Sequence, residues 1–130
     1  MTSEVKTLKR NATLTLADDL MQLDRIRHVP VLDDEEQEVV GIVTQRDLFR
    51  GGLALVLGYT PRARRKVLNT LLVKDVMTTD VITTTPDASL ANAARILMER
   101  KIGCLPVIME ARLVGILTES DFVALVAREG

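Results

Sequence analysis

Apolar side chains recur at spacings of three and four residues in two stretches of the chain, a pattern that predicts amphipathic helices. The first stretch extends from Leu14 to Leu23 and the second from Leu90 to Met98. A polar residue that can cap a helix precedes each stretch, Asn11 in the first and Asp87 in the second. We therefore expect two similar helices that begin close to these residues and bury one face each.

Strand-like segments flank both predicted helices. Short extended segments, Val5–Leu8 and Val81–Thr85, come before them, and two apolar segments joined by a polar turn come after them. The paired segments are Val29–Leu32 with Val39–Thr44, and Leu105–Ile108 with Leu113–Thr118. Each pair predicts a hairpin that leads into a further helix. The order β-α-β-β-α is therefore expected twice.

The two halves are related by a direct repeat of sequence. Val5–Val31 aligns with Val81–Val107 without a gap, and Gly41–Asp47 aligns with Gly115–Asp121 after two residues drop out of the second copy. We predict a mixed α+β (α/β) fold in which repeats at residues 1–50 and 76–130 pack with pseudo-twofold symmetry. Residues 51–75 form a helical insertion, whose helix is expected to run from Thr60-Pro61 to about Leu72.

Composition restricts the class of protein. The chain has 130 residues, 47% of them hydrophobic and 2% aromatic, and a net charge of −1. A repeat of about 60 residues buries too little surface to be stable alone, so two repeats are expected to share a core. The neutral charge and scarce aromatic residues argue against nucleic acid as a partner. No apolar run is long enough to span a membrane. The single Cys104 is expected to be a buried thiol in a reducing cytoplasm.

The segment Gly-x-x-Thr-x-x-Asp, which ends the second hairpin strand of each repeat, carries the candidate chemistry. It places Thr44 with Asp47, and Thr118 with Asp121, at the start of a helix. A hydroxyl can donate or accept a hydrogen bond and a carboxylate accepts several, so the pair can hold the two hydroxyls of a ribose. The alternative is that both residues only cap their helices. Their occurrence in both repeats favours binding.

In these motifs the chain resembles a tandem pair of CBS (cystathionine-β-synthase-type) domains, known as a Bateman module. The resemblance rests on Val76-Met77, on Val81–Asp87, on the Val-Pro-Val and Leu-Pro-Val strands, and on the two Thr-x-x-Asp turns. It implies a cleft between the repeats that binds adenosine-containing ligands. AMP, ADP and ATP are favoured over S-adenosylmethionine and NADH.

The resemblance also implies roles for individual residues. Asp47 and Asp121 would hold ribose hydroxyls, and Thr44 and Thr118 would contact ribose or phosphate. The base pocket of the second repeat would be lined by Thr84, Pro86, Leu105 and Pro106. The candidate phosphate ligands are Arg27, His28 and Arg46.

The repeats differ at the expected base pocket and at the basic positions. Lys9-Arg10 replaces Thr85-Pro86 in the first repeat, so its base pocket is less typical. We expect the Asp121 site to bind adenosine best, with Arg27-His28 reaching its phosphates across the cleft. A partly buried histidine and solvated or ion-paired arginines remain the alternative interpretation of the basic residues.

These features predict a stand-alone regulatory module with no catalytic activity, no required cofactor and no metal site. The nucleotide would shift the packing of the repeats and signal to a separate, unidentified partner or through a homodimer. A ligand-independent dimerisation or protein-interaction module is the alternative. Leu53–Leu57 and Leu68–Val73 are candidates for a dimer interface.

Two charged runs are not assigned to the site. The acidic run Asp33–Glu38 lacks the spacing of a calcium loop and is expected to be an exposed hairpin tip. The basic run Arg62–Lys66 is expected to be a solvated face, with an acidic or phosphate-bearing partner as the alternative.

Overall fold

The computed structural model of the chain describes residues 4–35 and 38–129. It divides into two compact units: a first unit, Lys6–Val81, and a second unit, Met1–Val5 with Ile82–Gly130. Both units contain helices and strands, so the predicted mixed α+β class is confirmed. Glu36 and Gln37, in the predicted acidic tip, lie outside the described residues. None of the helices described is long and apolar enough to cross a membrane.

The first unit begins with the predicted order of elements. These are β1 (Leu8–Lys9), α1 (Leu14–Asp24), β2 (His28–Leu32), β3 (Val39–Thr44) and α2 (Gln45–Gly51). Strand β2 lies between β1, to which it is parallel, and β3, to which it is antiparallel. Alternate apolar residues of the strands face α1 and α2, and Val29, Val31, Val43, Leu14 and Leu48 are almost wholly buried there. This hydrophobic burial is the main stabilising contribution.

The insertion belongs to the core of the first unit. It contains a short 3₁₀ turn (Leu53–Val56), α3 (Pro61–Leu68) and α4 (Val73–Val76). Thr60 caps α3 and Pro61 occupies its first turn, as predicted. The helix ends at Leu68 rather than near Leu72, because the chain turns there and the Leu71 carbonyl accepts the Leu14 amide at 2.9 Å.

Two of the apolar residues assigned to a dimer interface are buried instead. Leu68 is 1% exposed and Val73 is 0% exposed. Both pack in the core of the first unit, so the assignment to an interface is wrong for these two side chains. Leu55 and Leu57 in the preceding segment remain largely exposed.

The basic run of α3 contacts α1. Arg64 donates to Asp18 at 2.8 Å, and Arg65 approaches Asp19 at 3.3 Å. Asp18 is largely buried and also accepts a hydrogen bond from Gln22. The expected solvated face is therefore wrong for Arg64, which pairs with an acidic side chain 46 residues earlier in the chain, whereas Arg65 stays exposed beside Asp19.

The second unit contains a hairpin between two helices. Its elements are α5 (Leu90–Arg100), β4 (Cys104–Met109), β5 (Arg112–Thr118) and α6 (Glu119–Glu129). The two turn residues, Glu110 and Ala111, both have positive φ, as a tight hairpin turn requires. The predicted strand Val81–Thr85 is reduced to a single parallel bridge between Thr84 and Val107. Pro86 cannot donate a backbone hydrogen bond and so cannot extend that pairing.

The predicted helix caps need correction in both units. Thr13 caps α1, where its hydroxyl accepts from the Leu16 amide at 3.2 Å, and Ser89 caps α5 in the same way. Asn11 lies in a turn before α1. Asp87 instead accepts the Thr85 hydroxyl at 2.6 Å, which holds the pKa of Asp87 below its ordinary value.

Candidate functional site

The first Thr-x-x-Asp motif lies where β3 passes into α2, and it caps that helix. The Thr44 hydroxyl accepts from the Asp47 amide at 3.0 Å, and the Asp47 carboxylate accepts from the Thr44 amide at 2.9 Å. This reciprocal pair is a capping box, which satisfies two backbone amides that the helix leaves unpaired. The capping alternative is therefore correct for this motif as a local structural role.

Capping leaves part of the first motif available to a ligand. The hydrogen bonds from the Thr44 amide and from the Thr78 hydroxyl both go to Oδ2 of Asp47. Oδ1 keeps its acceptor capacity, and the Thr44 hydroxyl, which acts as an acceptor, keeps its proton. Both side chains are half-buried. A group that brings a hydroxyl donor and an acceptor can therefore bind here without disrupting the cap.

The second motif, where β5 passes into α6, differs in one hydrogen bond. The Thr118 amide donates to Oδ2 of Asp121 at 2.9 Å, as in the first motif. The Thr118 hydroxyl, however, donates to the same oxygen at 3.4 Å instead of accepting an amide. The hydroxyl proton is thus engaged in the second motif and available in the first.

Basic side chains gather at the same end of the first unit's sheet as Thr44 and Asp47. His28 pairs with Thr44 across β2 and β3, and the Arg27 carbonyl accepts the Gln45 amide at 2.9 Å. Arg46 follows in the first turn of α2. Arg27 and Arg46 are exposed and His28 is half-buried. The first unit therefore brings its three candidate phosphate ligands close to one Thr-x-x-Asp motif.

At the corresponding end of the second unit, Gly103, Cys104 and Ser120 occupy the positions of Arg27, His28 and Arg46, so no basic side chain stands at these three positions. Cys104 pairs with Thr118, and the Gly103 carbonyl accepts the Glu119 amide at 3.3 Å. Cys104 is buried, as expected, and burial raises the pKa of its thiol to about 12. A protonated thiol is neither a nucleophile nor a metal ligand at neutral pH.

Of the four candidate base-pocket residues, three are buried beside or within β4 and one, Pro86, is exposed. Thr84 lies beside β4, where its amide donates to Pro106 and its carbonyl accepts from Ile108. Leu105 and Pro106 are almost wholly buried, and Leu105 belongs to the apolar core. Leu105 can thus contribute its backbone to a ligand, while its side chain supports the core.

One residue near the first motif had no sequence signal. Thr78, which donates to Asp47, lies 31 residues away along the chain, at the start of the second repeat in sequence but within the first compact unit. Among the residues described, no three or more His, Cys, Asp or Glu side chains form a group that could hold a metal ion.

Two hairpins that each pass into a helix through Thr-x-x-Asp define the class of this protein. The family model for the CBS domain matches residues 1–53 and 73–128. The chain therefore belongs to the CBS domain family. Members of this family are regulatory rather than catalytic modules.

Curated relatives and solved structures are similar over nearly the whole chain. The uncharacterized protein MJ1225 of Methanocaldococcus jannaschii is 32% identical over 129 residues, which cover 99% of this chain and 42% of that protein. A Vibrio cholerae protein named for acetoin utilization (AcuB) is 38% identical with a TM-score of 0.78, covering 99% of this chain and 87% of that one. The chain thus spans less than half the length of this curated relative.

Two further solved structures hold adenosine compounds. CBSX2 in complex with AMP is 27% identical with a TM-score of 0.79, covering 99% of this chain and 93% of that chain. The CBS domain pair of MJ0100, in complex with methylthioadenosine and S-adenosylmethionine, is 25% identical with a TM-score of 0.78, covering 96% of this chain and 93% of that one. Proteins of this fold therefore bind ligands that share an adenosine group.

Proposed function

We propose that this protein is a regulatory module that binds an adenine nucleotide, AMP, ADP or ATP, at its Thr-x-x-Asp motifs. The observation that carries the proposal is the capping box of Thr44 and Asp47, which leaves a carboxylate oxygen and a hydroxyl proton available. The AMP complex of CBSX2 and the S-adenosylmethionine complex of MJ0100 support an adenosine ligand. S-Adenosylmethionine and NADH are the less favoured candidates.

Each part of the nucleotide has candidate ligands in the chain. Asp47 and Asp121 accept ribose hydroxyls, and Thr44 and Thr118 contact ribose or phosphate. Arg27 and Arg46 offer positive charge to phosphates and His28 offers a ring nitrogen, supported by their place near Asp47. Thr84 and Pro86, with the backbone of Leu105 and Pro106, line the base pocket of the second repeat. That Arg27 and His28 contact the phosphates of a nucleotide bound at the Asp121 site remains a prediction.

The proposed regulation is a shift between conformations. A nucleotide changes their populations only if it binds one of them more tightly than the other. We propose that the shift reaches a separate protein partner or the second chain of a homodimer, in the cytoplasm. The repeat boundaries at 1–50, 51–75 and 76–130 are part of the same proposal.

Titration calorimetry with AMP, ATP, S-adenosylmethionine and NADH tests the nucleotide site. Asp47→Asn and Asp121→Asn each remove a charge but keep an oxygen that can accept the Thr44 or Thr118 amide. We expect AMP or ATP to bind and both variants to lose affinity, Asp121→Asn more strongly. Thr60→Ala, which removes the cap of α3 away from the motif, is the matched control. Equal losses in the two Asp variants contradict the inequality of the sites, and no binding of any adenosine ligand contradicts the proposed function.

A ligand-independent interaction module is the second candidate, and exposed apolar side chains favour it. In the first unit Leu23 is 81% exposed, and in the second unit Met98 and Val126 are 78% and 67% exposed. Val123, which is 69% exposed, lies three residues from Val126 on α6, so the two share one helical face, and adjacent exposed apolar side chains favour contact with another protein. Light scattering should then show a dimer without nucleotide, which Met98→Glu or Val126→Glu dissociates. A monomer for the unmodified chain contradicts this candidate.

A further inference from the structure

The segment that follows the insertion, which belongs to the first unit, reaches the first motif. Thr78 forms an antiparallel bridge with Ile42 of β3, with backbone hydrogen bonds of 2.8 and 2.9 Å in both directions. Its hydroxyl donates to Oδ2 of Asp47 at 3.4 Å, and the Thr44 amide donates to the same oxygen at 2.9 Å. The Asp47 carboxylate thus has one donor from its own motif and one from outside the repeat.

A close backbone approach holds Thr78 in this position. A Cβ on Gly41 would lie 2.6 Å from the Met77 sulfur and 3.0 Å from the Thr78 carbonyl oxygen. Because glycine has no Cβ, residues 77 and 78 can lie directly against β3. The two backbone hydrogen bonds to Ile42 then fix the position of the Thr78 backbone, from which the side chain extends to Asp47. Its bond to Asp47 is long, but it comes from an anchored residue.

In the second repeat, the threonine of the motif itself provides the second donor to the aspartate. There the Thr118 hydroxyl is the second donor to Oδ2 of Asp121, also at 3.4 Å. In the first repeat the Thr44 hydroxyl is occupied as an acceptor of the Asp47 amide. Thr78 supplies the donor that Thr44 does not.

A second donor matters because the last torsion of an aspartate side chain is broad. With only the Thr44 amide on Oδ2, the carboxylate plane can pivot about that hydrogen bond. The Thr78 hydroxyl restricts the pivot and so holds Oδ1 ready for a ligand hydroxyl. Ordering a group before binding lowers the entropy that the ligand must offset.

We propose that Thr78 is a positioning residue of the first nucleotide site: it orients Asp47 for the ribose and leaves the Thr44 hydroxyl proton to the ligand. This inference rests on the proposed function. The first site then depends on a residue outside the first repeat, whereas the second site uses Thr118 of its own motif for the same purpose.

The test measures AMP affinity by calorimetry in two backgrounds. The Asp121→Asn protein keeps the first site unaltered, and the Asp47→Asn protein keeps the second site unaltered. In the Asp121→Asn background, Thr78→Val keeps the shape of the side chain and removes the donor. We expect it to weaken AMP binding by about threefold to tenfold, the range of an ordinary rather than a charge-assisted hydrogen bond, because this bond is 3.4 Å long and exposed. Thr78→Ser should stay within about twofold of threonine, because it keeps the hydroxyl.

Two controls separate positioning from a general effect on the fold. Thr79→Val changes the exposed neighbour of Thr78 and should leave AMP affinity unchanged. In the Asp47→Asn background, Thr78→Val should also have no effect, whereas a merely destabilising substitution would weaken both sites. AMP binding with equal affinity in the Thr78→Val and Thr78 proteins overturns this inference alone. If the unmodified protein binds no AMP, the proposed AMP site and this inference fail together.

Discussion

Arg64→Ala removes one of the two ion pairs between α3 and α1, and the structure sets the size of the effect. The Asp18 side chain is 12% exposed and the Arg64 side chain 37% exposed, with 2.8 Å between them. Removal of one partner of a fully buried pair costs about 3–5 kcal/mol, and of an exposed pair about 0.2–1 kcal/mol. Asp18 keeps its hydrogen bond from Gln22. We therefore expect a loss of about 2 kcal/mol in the free energy of unfolding.

Arg65→Ala is the matched comparison, because Arg65 is adjacent and lies on the same helix. Its partner Asp19 is 41% exposed, Arg65 is 58% exposed, and the closest atoms are 3.3 Å apart. Water and salt screen such a pair, so we expect a loss of less than about 0.5 kcal/mol. The two pairs thus differ in burial more than in chemistry.

Urea unfolding followed by circular dichroism measures both losses. The Arg64→Ala midpoint should fall clearly below that of Arg65→Ala, and Asp18→Asn in the Arg64→Ala background should recover part of the loss. The recovery follows because asparagine leaves no unpaired charge beside Gln22. Equal losses for Arg64→Ala and Arg65→Ala would refute the reasoning that burial of Asp18 decides the effect.

Two further predictions concern close packing and the buried thiol. Gly51→Ala should destabilise the protein more than Gly41→Ala. A Cβ on Gly51 would lie 2.2 Å from the stiff, branched Val76 side chain, whereas the nearest atom to a Cβ on Gly41 belongs to a flexible methionine. Urea unfolding that ranks the two variants in the opposite order contradicts this prediction. Cys104 should react slowly with a thiol reagent at pH 9 in the native protein and rapidly in urea. Because burial raises the pKa of its thiol from 9.0 to about 12, the unfolded chain releases the proton first. The thiol's contribution to stability should therefore be lost as pH rises from 9 towards 12, and a flat profile in a comparison with Cys104→Ala would count against it.

The sequence was informative wherever the deciding interactions lie within a few residues. Thr44 and Asp47 are three residues apart, so their joint position at a helix start follows from the motif. Thr60-Pro61 likewise marked the start of α3. The cap of α1 was misplaced by two residues, although Thr13 stands immediately before the first apolar residue of the helical pattern.

Elements whose length depends on distant partners were predicted less well. Val81–Thr85 is rich in β-branched residues, yet only Thr84 finds a bridge partner, Val107. Propensity for strands expresses how a side chain fits a sheet, and it cannot supply the neighbouring strand. The helix α3 ends early for a similar reason, since the Leu71 carbonyl pairs with the amide of Leu14.

By itself, the sequence determined the family, the two repeats, and the threonine and aspartate at each helix start, because a short motif and its periodic surroundings encode them locally. Only the tertiary structure decided that Arg64 pairs with the buried Asp18 and that Thr78 donates to Asp47. Those partners are 46 and 31 residues apart. Their contact depends on how helices and strands pack, and no local pattern of residue types reports that geometry.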